Sequence, residues 1–326
     1  MKKEILEESP IILREFLGYL QTIKGKSIKT VEEYFFDIRT FFRYLKLKNN
    51  LVSKDENFEK ISILDVDIDL IKKVNVIDIF EYMNYLMVVR NNKEAARSRK
   101  VSSLHTFYRY LVNKSGKLNV NPAQELETPK LPKKLPKFLT LEESKNLLAS
   151  VKKYCGKFEK RDYCILTLFL NCGLRLSELA GINLNDYSLE YKTLKVKGKG
   201  AKERVVYLNE ACENALKEYI NVRPKDCVKD RDALFISRQN NRLSVKTIQL
   251  LVSKYLQAAG LGNKGYSTHK LRHTAATLMY QYGGVDIRVL QEILGHENLG
   301  TTEIYTHLSN NQMKNAIDSN PLSKNI

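Results

Sequence analysis

The sequence predicts a mainly α protein of two domains, with one small antiparallel sheet confined to the second domain. Three observations lead there. The chain has 326 residues, more than a single hydrophobic core usually holds. Apolar residues recur at three- and four-residue steps over most of its length, whereas two-residue alternation is limited to Thr193–Lys197 and Arg204–Leu208. Four of the seven prolines, Pro122, Pro129, Pro132 and Pro136, fall between Lys114 and Lys137. Proline at that density removes backbone donors and disfavours helix in the residue before each one. The division is therefore a helical domain over 1–113, a basic, extended linker over 114–137 and a mixed domain over 138–326.

In the first domain, Val31, Tyr34, Phe35, Ile38, Phe41, Phe42 and Leu45 form one helical stripe, with Thr30 and Glu33 as a capping box. Ile12–Ile23, Val76–Val89 and Glu94–Val112 repeat the pattern, and four such helices make a small bundle. Residues 49–75 are acidic and irregular, an elaboration between the second and third helices. In the last domain, Thr140 and Glu143 cap a helix reaching about Val151, and Asp162–Asn171 is a buried helix that Gly173 can end. The two alternating strands flank Gly198-Lys199-Gly200-Ala201-Lys202, a glycine-bearing hairpin turn. Further helices fit 210–222, 244–259, 268–281, 286–294 and 301–317.

Charge narrows the function. With 43% hydrophobic and 28% charged residues the composition is globular, yet 54 Lys+Arg face 37 Asp+Glu, a formal +17. A surplus of that size favours a polyanionic partner, nucleic acid or an anionic membrane. The most apolar stretch, Tyr163–Leu174, is too short to span a bilayer and holds Asn171. Lys2 and Lys3 are followed at once by Glu4, Glu7 and Glu8, which no secretory leader shows. Cys155, Cys164, Cys172, Cys212 and Cys227 are odd in number and form no CxxC pair, so they read as reduced thiols of a cytoplasmic protein. Residues 90–137 alone carry 12 basic and 3 acidic side chains. Arg97, Arg99 and Lys100, beside the apolar stripe Val101, Leu104, Phe107, Tyr108 and Leu111, are the candidates for phosphate contact.

Four of the five histidines, His269, His273, His296 and His307, lie in the last 58 residues. His269 and His273 have zinc-helix spacing, but Lys270 and Arg272 between them oppose a metal, and the zinc-protease glutamate is absent. The alternative is chemistry by cations. Breaking a phosphodiester requires charge stabilisation on the nonbridging oxygens, a nucleophile, and a proton for the leaving oxygen. Arginine forks match phosphate oxygens, and a lysine in a tight hairpin can reach a groove.

Five segments, in order, carry a resemblance. Gly173-Leu174-Arg175-Leu176-Ser177-Glu178-Leu179 resembles the first arginine box of the tyrosine recombinases. Gly198-Lys199-Gly200 with Lys202-Glu203-Arg204 looks like their catalytic hairpin, and His269-Lys270-Leu271-Arg272-His273 resembles their HxxR box. Leu294-Gly295-His296 is similar to their later histidine box, and Tyr305 follows nine positions on, where the nucleophile is expected. The resemblance implies a tyrosine-recombinase fold: a four-helix, SAM-like core-binding domain joined to a catalytic domain. It also implies roles. Arg175 and Arg272 would clamp the scissile phosphate, Lys199 would protonate the 5′-oxygen, and His269 would assist proton transfer at Tyr305. His296 would support the transition state, and Tyr305 would attack to leave a 3′-phosphotyrosyl link. Lys202 and Arg204 would join the DNA contacts. Glu178, three residues after Arg175, either orients an arginine or forms a surface salt bridge. Neither metal nor cofactor is implied, because the bond energy is stored covalently. A tyrosine of pKa near 10 is only about 0.1% ionised at neutral pH, so it needs neighbouring cations and a base.

The reading is a site-specific recombinase of Xer type resolving chromosome or plasmid dimers, acting on double-stranded DNA with a specific site as a homo- or hetero-tetramer, without membrane insertion. A phage or mobile-element integrase shares the chemistry; the first helix near residue 10 leaves no room for an arm-binding domain, which favours the simpler layout, while the 49–75 segment departs from it. A DNA-binding protein without catalysis is the alternative of another class, and the full residue set argues against it.

Overall fold

The computed structural model describes residues 2–128, 137–153, 156–198, 202–226 and 228–295. The chain divides into two compact units, Met1–Lys133 and Lys134–Ile326.

The first unit contains helices α1 (Lys3–Glu8), α2 (Ile11–Thr22), α3 (Ile28–Lys48), α4 (Ile68–Lys72), α5 (Val76–Val88) and α6 (Glu94–Asn113). Four of these are the long helices read from periodicity. Their stripes meet in an aromatic core, in which Phe16 lies edge-on to Phe107 at 5.2 Å and Phe41 edge-on to Tyr82 at 5.0 Å. Such pairs add about 0.5–1.5 kcal/mol each to simple area burial.

Three expectations are corrected here. Helix α3 starts earlier than the Thr30/Glu33 box: Ser27 is its cap, accepting from the Thr30 N–H at 3.3 Å, while Glu33 pairs with Arg99 at 2.9 Å. Residues 49–75 are no appendage, since Ile61, Ile63, Val66, Ile71 and Val74 are buried in the core. Helix α3 reaches out to hold this segment, with Arg43 Nε donating to the Ile61 carbonyl (3.0 Å) and Lys46 Nζ to Asp65 (2.7 Å). The beginning of the expected linker is folded as well: Leu118, Ala123 and Leu126 are buried against the bundle, and Asn121 caps the turn that returns them. The prolines at 129, 132 and 136 lie outside the described residues.

The second unit holds α7 (Leu141–Lys153), α8 (Glu159–Cys172), α9 (Leu176–Gly181), β1 (Tyr187–Ser188), β2 (Thr193–Lys197), β3 (Glu203–Tyr207), α10 (Glu210–Val222), α11 (Val245–Ala258), α12 (Thr268–Gly283) and α13 (Ile287–Leu294). Helix α8 is its axis, packed by α7, α10 and α12. The Thr140/Glu143 capping box forms as read, each backbone N–H bonded to the other's side chain. The sheet runs β1-β2-β3, antiparallel throughout, with Val196 opposite Arg204 and Lys197 opposite Glu203. Leu194, Val196 and Val206 point into the core. The short α9 and β1 were too brief for periodicity to reveal, and the helix expected over 301–317 lies outside the described residues. No helix among the described residues is long and apolar enough to cross a membrane.

Candidate active site

The site is assembled where α8 ends. Gly173 stops that helix in the left-handed conformation, φ 58°, and a Cβ built there would stand 2.9 Å from Leu294 Cδ2. Glycine satisfies both constraints at once: it tolerates positive φ and lets α13 approach. The reversal at Gly173 delivers Arg175 to the N-terminus of α9, where Glu178 one turn on accepts from its backbone N–H (2.8 Å) and from its guanidinium (2.7 Å).

Glu178 is 1% exposed, and three arginines surround it. Arg175 stands at 2.7 Å, Arg204 from β3 at 2.9 Å and Arg272 from α12 at 3.9 Å. Burial alone would raise this carboxyl. The hydrogen bonds and charge of Arg204, with the Arg175 backbone and side chain, outweigh it and hold Glu178 below the ordinary carboxylate range. Three guanidinium charges against one carboxylate leave a net positive locus.

The same arginines grip the end of α13. Its last carbonyls have no partner within the helix, and cations are favoured at a helix C-terminus. Arg204 donates to the Ile293 carbonyl (2.5 Å), Arg272 to Leu294 (2.6 Å) and Arg175 to Gly295 (2.5 Å). Arg272 also donates to the Gly173 carbonyl at 2.6 Å, which closes the ring of contacts between the end of α8 and the end of α13.

His269 stands three residues before Arg272 on α12, and its Nε2 lies 3.0 Å from Nε2 of His273. Desolvation, followed by the charges of Lys270, Arg272 and Arg175, lowers its pKa below the ordinary imidazole value. A neutral imidazole at neutral pH is an acceptor for a proton, as a base must be. Among the described residues no group of three or more His, Cys, Asp or Glu side chains could hold a metal ion.

The structure thus brings together Arg175, Arg272 and His269, with Glu178 among them. Lys199, His296 and Tyr305 lie outside the described residues, although the chain on either side, Gly198 and Gly295, borders the arginine cluster. Two expected DNA contacts are placed otherwise. Arg204 is held by Glu178 and Ile293, with a side chain only 16% exposed. Lys100 is buried in the first unit, its ammonium 3.0 Å from Asp37, so phosphate contact is not available to it. Arg99 is exposed and also pairs with Asp37, at 2.7 Å; Arg97 is half-buried and donates to the Asn92 carbonyl; Lys202 is exposed.

Period could have revealed both misplacements. Arg204 has the same strand parity as Val206, whose side chain is buried, and Lys100 lies on the stripe of Leu104, Phe107 and Leu111.

Residues 137–312 match the phage integrase family. Tyrosine recombinase XerC of Caldanaerobacter subterraneus subsp. tengcongensis is 53% identical over 315 residues, spanning 97% of this chain and 88% of that protein. Tyrosine recombinase XerD of Proteus mirabilis is 31% identical over 312 residues, spanning 94% and 92%. A crystal structure of the XerH site-specific recombinase bound to palindromic difH substrate, a post-cleavage complex, superimposes with a TM-score of 0.71 at 22% identity, covering 97% of this chain and 87% of that one. The last likeness speaks to the fold alone.

Proposed function

This chain belongs to the phage integrase family, as a tyrosine recombinase of Xer type, and from that premise we propose that it cuts and rejoins DNA at a specific site through a 3′-phosphotyrosyl intermediate. The observation that carries the mechanism is the convergence of Arg175 and Arg272 on one buried carboxylate, directly before the segment that bears His296. Two guanidinium groups gathered at one point supply the positive charge that the nonbridging oxygens of a phosphodiester require in the transition state. In the proposed step the Tyr305 phenol gives its proton to His269 as its oxygen attacks phosphorus. The bond from phosphorus to the 5′-oxygen breaks, and that oxygen takes a proton from Lys199. His296 supports the transition state. Rejoining reverses each transfer, so no nucleotide is consumed.

Dimer resolution of chromosomes or plasmids by a tetramer of protomers on paired sites, in the cytoplasm, is the biological role we assign. The XerC and XerD names of its relatives, the +17 charge and the thiols of Cys164, Cys172 and Cys212 support it. Arg97, Arg99 and Lys202 are proposed as phosphate contacts.

The test is covalent trapping on a nicked duplex carrying the site this protein selects from a randomised library. The wild-type chain should accumulate a denaturation-resistant adduct, and Tyr305→Phe should bind that duplex with nearly unchanged affinity while forming none. An adduct in the Phe variant would assign the nucleophile elsewhere. Exchange between two matched sites then separates a recombinase from an enzyme that only relaxes DNA.

A further inference from the structure

Arg204 belongs to neither of the clamp positions, yet its fork is held between Glu178 and the end of α13. Its NH2 meets Glu178 Oε2 at 2.9 Å, its Nε lies 3.5 Å from Oε1, and its NH1 donates to the Ile293 carbonyl at 2.5 Å. Three of its five N–H groups therefore face protein, and the side chain is 16% exposed. The neighbouring Arg175 is 34% exposed. The donors of Arg204 are thus turned toward Glu178 and the end of α13.

The acceptor side is equally full. Glu178 offers about four lone-pair sites. The Arg175 backbone and guanidinium occupy two, and the Arg204 NH2 and Nε face the others. Arg272 is the next cation, at 3.9 Å from Oε2, the oxygen that Arg204 NH2 occupies. A buried carboxylate with an open lone pair draws in the nearest cation, because an unpaired buried charge is more costly than a displaced side chain.

We propose that Arg204 is a positioning residue for strand cleavage: by saturating Glu178 and holding the end of α13 at Ile293, it keeps Arg272 aimed at the scissile phosphate instead of at Glu178. It does not touch the DNA. This rests on the recombinase reading above and adds to it the residue that keeps Arg272 off the carboxylate Arg175 already holds. Without Arg204, Arg272 moves to Oε2, by an ångström or so, and a misplacement of that size lowers a rate by about 10²-fold.

The experiment uses the full chain and the nicked duplex selected above, in two forms: one with an ordinary scissile phosphodiester, the other with a methylphosphonate there. The methyl group removes the negative charge that the arginines neutralise. Arg204→Ala should cleave the phosphodiester about 10²-fold more slowly than wild type, with the deficit shrinking to within about tenfold on the methylphosphonate. The slope of log affinity against log salt should not change. A role as a phosphate contact would instead lower that slope by about 0.9. A merely structural role would leave equal deficits on both substrates. Either result, or an unchanged cleavage rate, overturns the proposal.

Should Arg204→Ala fail to fold, Arg204→Lys keeps a charge beside Glu178 but not the fork, and the same comparison of substrates applies to it. Failure of the wild-type chain to form any adduct would be a failure of the recombinase reading, and is distinguished by that control.

Discussion

Substituting Gly173→Ala should damage stability and cleavage together, and the structure sets the size of the effect. The residue sits at φ 58°, where an L side chain crowds its own backbone at about 1–2 kcal/mol. Its new methyl would also stand 2.9 Å from Leu294 Cδ2 and 3.5 Å from Ala275 Cβ. Leu294 is fully buried, so it cannot simply swing away, and overpacking of this kind costs about 1–3 kcal/mol. The sum is about 2–5 kcal/mol, read as a lowered urea midpoint at constant m-value. Cleavage should fall further than stability explains, because the Gly173 and Leu294 carbonyls both receive Arg272. Gly18→Ala is the control: it lies inside α2 with open space around its Cβ position, and should stabilise by about 0.4–1 kcal/mol. A Gly173→Ala protein within about 0.5 kcal/mol of wild type, cleaving normally, would refute the reasoning.

Two further outcomes are expected. Asp37→Ala should destabilise the protein by about 3–5 kcal/mol, because Lys100, with a side chain only 9% exposed, loses the carboxylate that neutralises it; a calorimetric melt showing less than about 1 kcal/mol would mean that Lys100 escapes to solvent. His269 has a folded-state pKa below its ordinary 6.5, so the imidazole is neutral at pH 7. The apparent second-order cleavage rate should hold steady down to that value and fall only below it as the base becomes protonated. The folded state resists that proton, so stability too declines as pH drops through 6.5. Lys270→Gln removes one of the charges responsible and should move the inflection upward; an inflection above 6.5 in the wild type, or one that Lys270→Gln leaves in place, would contradict the assignment.

Much of this molecule was legible because its long helices are amphipathic. The four long helices of the first unit, α2, α3, α5 and α6, with α8 ending at Gly173 and the β2–β3 pair, all follow from period and punctuation. Residues 49–75 were not legible. Their buried apolar residues, Ile61, Ile63, Val66, Ile71 and Val74, follow one another at steps of 2, 3, 5 and 3, which sustain neither a strand nor a helix period, yet tertiary contacts bury them all. Charge misled in a different way. Lys100 reads as a phosphate contact, and the resemblance puts Arg204 among the DNA contacts, because sequence shows the sign of a charge and not what faces it; the buried Asp37 and Glu178 turn both inward. The ordered motifs located Arg175, Arg272 and His269, but no motif announces that three arginines share one glutamate, since these partners are separated by up to 94 positions and meet only through the fold.

The attachment of α13 through the carbonyls of Ile293, Leu294 and Gly295 has a consequence for how the site can vary. Every residue type supplies the same main-chain oxygen, so the receiving side of these three bonds is written in no particular letter of the sequence. Replacing Ile293 or Leu294 alters packing while leaving the oxygen in place; replacing Arg175, Arg204 or Arg272 deletes the donor outright. A scan of single substitutions would therefore attribute the bonds to the arginines; at the other end it would register the packing of Leu294 and the crowding of a Cβ at Gly295, where φ is 63° and Arg204 Cδ would stand 3.0 Å away. A change that bends the main chain, such as proline within α13, would expose the carbonyls themselves.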